Sequence, residues 1–155
     1  MLIHIIAVGT RMPAWVEAGY GEYAKRMPRE CRLVLREIPA GRRAKGADIA
    51  RLVREEGARQ LAATPTGARV VALERTGREL DTGGLAAALE RQLASGTDLA
   101  LLIGGPEGLS EECRKRADET WSLSKLTLAH PVARVVVAEQ IYRAWSIIKG
   151  LPYHR

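Results

Sequence analysis

The stretch Leu101-Leu-Ile-Gly-Gly-Pro-Glu-Gly-Leu-Ser110 sets three glycines directly after an apolar run. Residues 99–103 are continuously apolar, as a central strand covered on both faces is, while Gly104, Gly105 and Gly108 let backbone come close to a ligand. Open α/β sheets take their ligands at the carboxyl ends of strands, so this junction is the first candidate site. A tight strand-to-helix turn with no ligand accounts for the same spacing equally well. The loop carries neither the G-x-G-x-x-G fingerprint nor the Gly-Lys-Ser/Thr ending of a P-loop, which argues against dinucleotides and nucleoside triphosphates.

Proton transfer near neutral pH directs attention to the three histidines. His4 falls inside the first apolar run and reads as structural. His154 sits on a short polar tail after Pro152, where a structural role is least obvious, although chain ends taken alone read as disordered. Glu139 and Arg143 are four apart and can pair on one helix face. An ion pair worth about a few tenths of a kcal/mol and a substrate-positioning role are both open for them. Cys31 and Cys113 belong to no C-x-x-C pair and have no histidine at zinc spacing, so they read as free thiols with no metal between them.

Charge suggests the partner. Lys and Arg number 24 against 18 Asp and Glu, a net charge of +6, which favours a polyanion through counterion release. Arg42, Arg43 and Lys45 crowd a glycine-punctuated loop able to drape on phosphates, whereas Arg114-Lys115-Arg116 reads as a solvated helix face. Aromatics make up only 5% of the chain and Phe is absent, so no base-stacking platform is evident.

These residues need a scaffold, and the pattern supplies one. The 155 residues, 46% of them hydrophobic, support a single domain spanning 1–155. No apolar run approaches the roughly 18 residues that cross a bilayer, and no signal pattern opens the chain, so a cytoplasmic protein without a membrane partner is expected. Residues 2–8 form a strand ended by Gly9, with an amphipathic helix after Pro13 that places Trp15, Tyr20 and Tyr23 in core or interface. Residues 31–38 form a strand stopped by Pro39. Asp48 caps a helix with Ile49, Leu52, Val53 and Leu61 on one side. Residues 70–73 make a short buried strand, followed by a loop and a helix bearing Leu85, Leu89 and Leu93. After the strand at 99–103, Ser110 caps a short charged helix and residues 121–128 run extended or as an ordered loop. A long helix starting at Pro131 is apolar around most of its circumference and needs a partner on one face. The expected class is α/β, with a mostly parallel sheet and helices on both faces.

Ile103-Gly-Gly-Pro-Glu-Gly108 resembles the cofactor loop of the SPOUT superfamily. Further segments narrow the resemblance to the ribosomal large-subunit pseudouridine N3-methyltransferases: Ala7-Val-Gly-Thr-Arg-Met-Pro13, Glu37-Ile-Pro-Ala-Gly-Arg42, Trp121-Ser-Leu-Ser124, His130-Pro131, Ala138-Glu-Gln-Ile-Tyr-Arg-Ala-Trp145 and Pro152-Tyr-His-Arg155. They cover essentially the whole chain, in order. The resemblance implies a SPOUT-type knot, a trefoil in the carboxyl-terminal part, with S-adenosylmethionine in knotted loops and a homodimer with composite active sites. Family cofactor contacts fall on Leu73, Gly104, Gly105, Leu123, Ser124, Lys125, Leu126, Thr127 and Leu128, with the Lys125 amine pointing outward. His130 would orient that loop. On the substrate side the resemblance points to Tyr153, His154 and Arg155 as catalytic residues, and to ribosomal RNA within the ribosome as the partner. Two rival readings are a cofactor-binding ribosome assembly or docking factor and a methyltransferase acting on tRNA.

Overall fold

Alternation of apolar strands with amphipathic helices forces a layered structure, because each strand run must be covered. The structure, a computed structural model, describes residues 1–154. Strand β1 (Leu2–Val8) is followed by α1 (Ala14–Ala24), β2 (Arg32–Ile38), α2 (Ile49–Ala63), β3 (Arg69–Glu79), α3 (Thr82–Ser95), β4 (Leu99–Ile103), α4 (Glu111–Arg116), β5 (Glu119–Ser122) and α5 (His130–Ile148). Tight single turns of helix stand at Arg29–Cys31 and Pro152–His154.

The strands lie in the order β2-β1-β4-β3-β5, and every neighbouring pair is parallel. The all-apolar β4 is therefore central, and each of its residues is buried. Period-two alternation divides the core. Ile3, Ile5, Val71, Leu99 and Leu101 face Leu89 of α3 and Val137, Ile141 and Trp145 of α5, while Ile6, Val70, Ala100 and Leu102 face the layer of Leu61 and Cys113 on α2 and α4. Helices cover both faces, as the sequence pattern implies. Helix starts are set by side chains: Asp48, Asp81 and Ser110 accept hydrogen bonds from the backbone N–H of Arg51, Gly84 and Cys113 at 3.1, 2.7 and 3.2 Å. Both cysteines are buried free thiols. Burial pushes Cys31 up to about 11, which disfavours the reactive thiolate.

His4 is structural. Its Nε2 lies 3.3 Å from Asp98 Oδ2, and the other oxygen of Asp98 accepts the Leu2 N–H at 2.9 Å. That backbone hydrogen bond is the leading cause of the lowered Asp98 pKa. Trp15, expected in core or interface, lies outside the core of this chain, 60% exposed on α1.

Two elements differ from the sequence pattern in ways that matter for the site. Strand β3 does not stop at Leu73 but runs to Glu79, with a register shift against β5 between Leu73 and Arg78. The residues between bulge from the ladder. Helix α2 turns a polar face inward: its buried residues are Glu56, Gly57 and Gln60, while Ile49 is exposed and Leu52, Val53 and Leu61 are half-buried. Gln60 donates to the carbonyls of Ile6 and Ile103 at 3.0 Å each, near the carboxyl ends of β1 and β4. A buried polar side chain is tolerated when its hydrogen bonds are made, and here they fasten a helix to strand ends.

Candidate active site

The carboxyl ends of β3, β4 and β5 and the first turn of α5 enclose a cleft of about 620 Å³. Its floor is the turn after β4. Gly108 N–H donates to the Gly105 carbonyl at 3.0 Å, and the two residues form an isolated antiparallel bridge. A Cβ on Gly104 would lie 2.3 Å from the Gly108 carbonyl carbon and 2.6 Å from Leu109 N. Glycine is required because the turn closes on its own backbone. Of the two readings the sequence left open for these glycines, ligand approach and a tight strand-to-helix turn, the turn accounts for Gly104.

The segment after β5 forms the opposite wall and braces itself. Ser122 Oγ donates to the Ser124 carbonyl at 2.9 Å, and Ser124 Oγ accepts the Leu126 N–H at 3.0 Å. Of the nine residues expected to hold the cofactor, Leu73, Gly104, Gly105, Leu123, Ser124, Leu126, Thr127 and Leu128 line the cleft. Lys125 stands off the wall, exposed, with its ammonium 3.6 Å from Glu79. Segments distant in sequence thus meet around one hollow. Leu126 is 74% exposed, an apolar side chain at the mouth with nothing of its own chain over it.

Several wall residues had no sequence signal. Glu74, Arg75 and Thr76 arrive through the β3 bulge. Arg114, grouped by sequence with a solvated helix face, lies on the wall and donates to Glu74 at 2.7 Å. Arg134 lies behind the site and is 1% exposed. It donates to Glu37 at 2.6 Å and to the Gly9 carbonyl at 2.7 Å, so α5 is tied to the ends of β1 and β2. A lone arginine inside an apolar helical run was the available clue.

His130 lines the cleft, and its Nδ1 is buried without a partner. Burial first, then the guanidinium groups of Arg134 and Arg43, holds its pKa below the ordinary 6.5. The ring is therefore neutral at pH 7. On acidification the unfolded chain takes up this proton before the folded one does, so the contribution to stability is complete above about pH 6.5 and is lost as pH falls. His130→Asn is expected to flatten the pH dependence of the thermal midpoint between about pH 5 and pH 7. An unchanged slope would assign that dependence to other groups.

Tyr153 and His154 lie outside the cleft lining. Tyr153 Oη donates to Glu139 at 3.0 Å, its ring meets Tyr142 edge-on at 4.8 Å, and the Arg143 guanidinium stands 5.0 Å from the ring centre. Burial, with hydrogen bonds to Tyr23 and Glu139, raises the Tyr153 pKa, so the phenol stays protonated. Glu139 and Arg143 do pair, Nε to Oε1 at 2.9 Å, and together they seat Tyr153. His154 is exposed, and its Nδ1 lies 3.2 Å from the Leu151 carbonyl. A carbonyl only accepts, so Nδ1 carries the proton and Nε2 of the neutral ring keeps a free lone pair. Arg155, the third tail candidate, lies outside the described residues. The cleft meets α5 at His130 and Ala133, and the tail packs six to ten residues further on, roughly 9–15 Å along the axis.

Among the described residues, no helix is long and apolar enough to cross a membrane, and no cluster of three His, Cys, Asp or Glu side chains is placed to hold a metal ion.

Comparison with known proteins places the fold. Residues 1–154 match the family model described as "Predicted SPOUT methyltransferase". The ribosomal RNA large subunit methyltransferase H of Thioalkalivibrio sulfidiphilus is 59% identical over 155 residues, covering 100% of this chain and 99% of that protein. The protein of the same name from Methylococcus capsulatus is 52% identical, with 100% of both chains covered. Among solved structures, a methylase family protein from Haemophilus influenzae superposes with a TM-score of 0.55 at 13% identity, covering 99% of this chain and 70% of that one. One from Neisseria gonorrhoeae gives a TM-score of 0.52 at 17% identity, with 90% and 81% covered. These two speak to the fold alone, whereas the full-length sequence matches decide the family. The cleft at the strand ends is thus the candidate active site of a chain that belongs to the SPOUT methyltransferases and, within them, to the ribosomal RNA large subunit methyltransferase H family.

Proposed function

We propose that the protein transfers a methyl group from S-adenosylmethionine to N3 of a pseudouridine in large-subunit ribosomal RNA, acting on assembled ribosomes in the cytoplasm. The observation that carries this reading is similarity along the full length to relatives named ribosomal RNA large subunit methyltransferase H, which supports methyl transfer to large-subunit ribosomal RNA; the pseudouridine N3 target and the cofactor rest on the motif resemblance. The residues present fit the cofactor. A backbone turn closed so tightly at Gly104 that no Cβ fits there lines the cleft with the apolar side chains of Leu73, Leu123 and Leu128, a setting suited to adenine between apolar walls and backbone polar groups. When bound, S-adenosylmethionine supplies an electrophilic methyl on a sulfonium. Gly104, Gly105, Leu73 and residues 123–128 would hold it. We read the protein as a single domain of 155 residues with a carboxyl-terminal trefoil knot, acting as a homodimer.

The acceptor nitrogen is an imide and must lose its proton before it attacks. The His154 Nε2 lone pair suits that transfer, and Tyr153, a fixed phenol donor, suits stacking or hydrogen bonding to the base. Arg155 would grip a phosphate. With 9–15 Å of helix between tail and cleft, roughly, a second copy is the simplest source of the tail at each cleft. That requirement supports the dimer, as do Val132, Val135 and Val136 of α5, which this chain leaves half-buried.

Ribosomes from a strain lacking the protein, incubated with it and tritiated S-adenosylmethionine, test the reading. N3-methylpseudouridine is expected in the nucleoside digest of the large-subunit RNA, with assembled ribosomes far better substrates than free RNA. Label in tRNA would redirect the assignment. Cofactor binding without any transfer would favour a docking factor.

A further inference from the structure

By sequence, Arg42, Arg43 and Lys45 are equivalent cations on one loop. The fold separates them. Arg42 and Lys45 stand exposed, while Arg43 turns inward to a side-chain exposure of 22%. Its two terminal nitrogens bridge two carboxylates from different elements. Nη1 and Nη2 donate to Glu56, the latter at 2.9 Å from Oε1. Nη2 also donates to Glu107 Oε2 at 2.6 Å. Glu56 is 2% exposed on α2 and accepts the Gly41 N–H at 2.8 Å, while Arg43 Nη1 returns a hydrogen bond to the Gly41 carbonyl at 2.8 Å. Glu107 belongs to the glycine turn and lines the cleft. Arg43 is the leading cause of its lowered pKa.

A buried carboxylate needs a partner, and among the described residues Arg43 and Gly41 answer Glu56 of α2. The planar guanidinium then has donors left over, and these reach Glu107. One side chain therefore fastens the loop bearing the outward cations to the turn that floors the cleft, with α2 as the fixed post. Loop and turn cannot shift independently while it holds.

We propose that Arg43 is a positioning residue that couples the basic loop to the cofactor turn, so that cofactor and RNA each bind more tightly in the other's presence. The inference rests on the reading of the cleft as an S-adenosylmethionine site and of the loop as an RNA contact. Binding linkage makes such an effect reciprocal.

The test measures the affinity of the full-length protein for ribosomes from a strain lacking it, with and without saturating S-adenosylhomocysteine. The wild type is expected to bind ribosomes at least about tenfold tighter with the nucleoside present, within the usual span of such couplings. Arg43→Lys keeps a charge beside Glu56 but cannot serve two carboxylates as a fork, and Glu107→Ala removes one arm while leaving the Arg43–Glu56 pair. In each, the ratio of the two affinities is expected to fall close to one, whatever happens to either affinity alone, and the double variant should fall no further. Melting curves identify any variant that has lost its fold, which is why two are used. Full coupling in folded Glu107→Ala, or a wild type that binds both ligands without coupling, would overturn the proposal and leave the cofactor reading standing. A wild type that does not bind S-adenosylhomocysteine would overturn both.

Discussion

Gly104→Ala is expected to lose at least about 100-fold in affinity for S-adenosylmethionine, equivalent to about 2.7 kcal/mol. The smallest possible side chain is enough, because a Cβ there would sit 2.3 Å from the carbonyl carbon of Gly108, a backbone atom with no rotamer to retreat into. Relief requires the 104–108 turn to open, which moves the cleft floor. Gly108 offers a graded comparison. Its φ is +86° but a Cβ would meet nothing within 4 Å, so Gly108→Ala carries only the left-handed backbone cost of about 1–2 kcal/mol. A loss closer to tenfold is expected. Strand β4 runs buried between β1 and β3 in both variants, so cooperative melting should persist. Titration calorimetry on proteins shown folded by circular dichroism makes the comparison. Wild-type affinity in folded Gly104→Ala would mean that the cofactor does not use this turn.

The same turn shows how far a sequence can be read. Its position after an all-apolar strand, the cap at Ser110 and the parallel α/β architecture are local signals, each carried by a few adjacent residues. They were legible. The reason for Gly104 was not, because spacing reveals a need for glycine without revealing which atoms crowd it. Helix α2 fails differently: Ile49, Leu52 and Val53 suggested the inward face, yet Glu56 and Gln60 are buried because strand-end carbonyls and Arg43 lie opposite them. What a helix faces is tertiary information. The β3 extension was hidden for a related reason, since Glu-Arg-Thr-Gly-Arg-Glu after Leu73 has loop composition but pairs at its end with β5. Arg114 reached the cleft wall only because the bulge brought Glu74 to it. Leu73, Gly104 and residues 123–128 were grouped by family resemblance, and no pattern within the chain would have joined them.

Deleting Tyr153, His154 and Arg155 is expected to lower turnover at least about 100-fold while leaving S-adenosylmethionine affinity within about threefold, since loss of a general base costs on the order of 100- to 10,000-fold. The geometry separates the two functions. Tyr153 is held by Glu139, Tyr142 and Arg143, whereas among the described residues the cleft meets α5 at His130 and Ala133. Within one subunit the tail packs at the wrong place along the helix. Two copies related by a twofold, with their α5 helices antiparallel, would bring the tail end of one beside the cleft end of the other. Mixing two dead proteins distinguishes the arrangements. Gly104→Ala keeps the tail and lacks a cofactor floor; the truncated chain keeps the floor and lacks the tail. If sites are shared, each heterodimer holds one doubly damaged site and one intact site. Random exchange of equal amounts makes half the dimers mixed, so about a quarter of wild-type activity should return. If each subunit builds its own site, every site in the mixture is damaged and nothing returns. Native mass spectrometry establishes that heterodimers have formed, and silence in their presence would rule out a composite site whose two halves work independently.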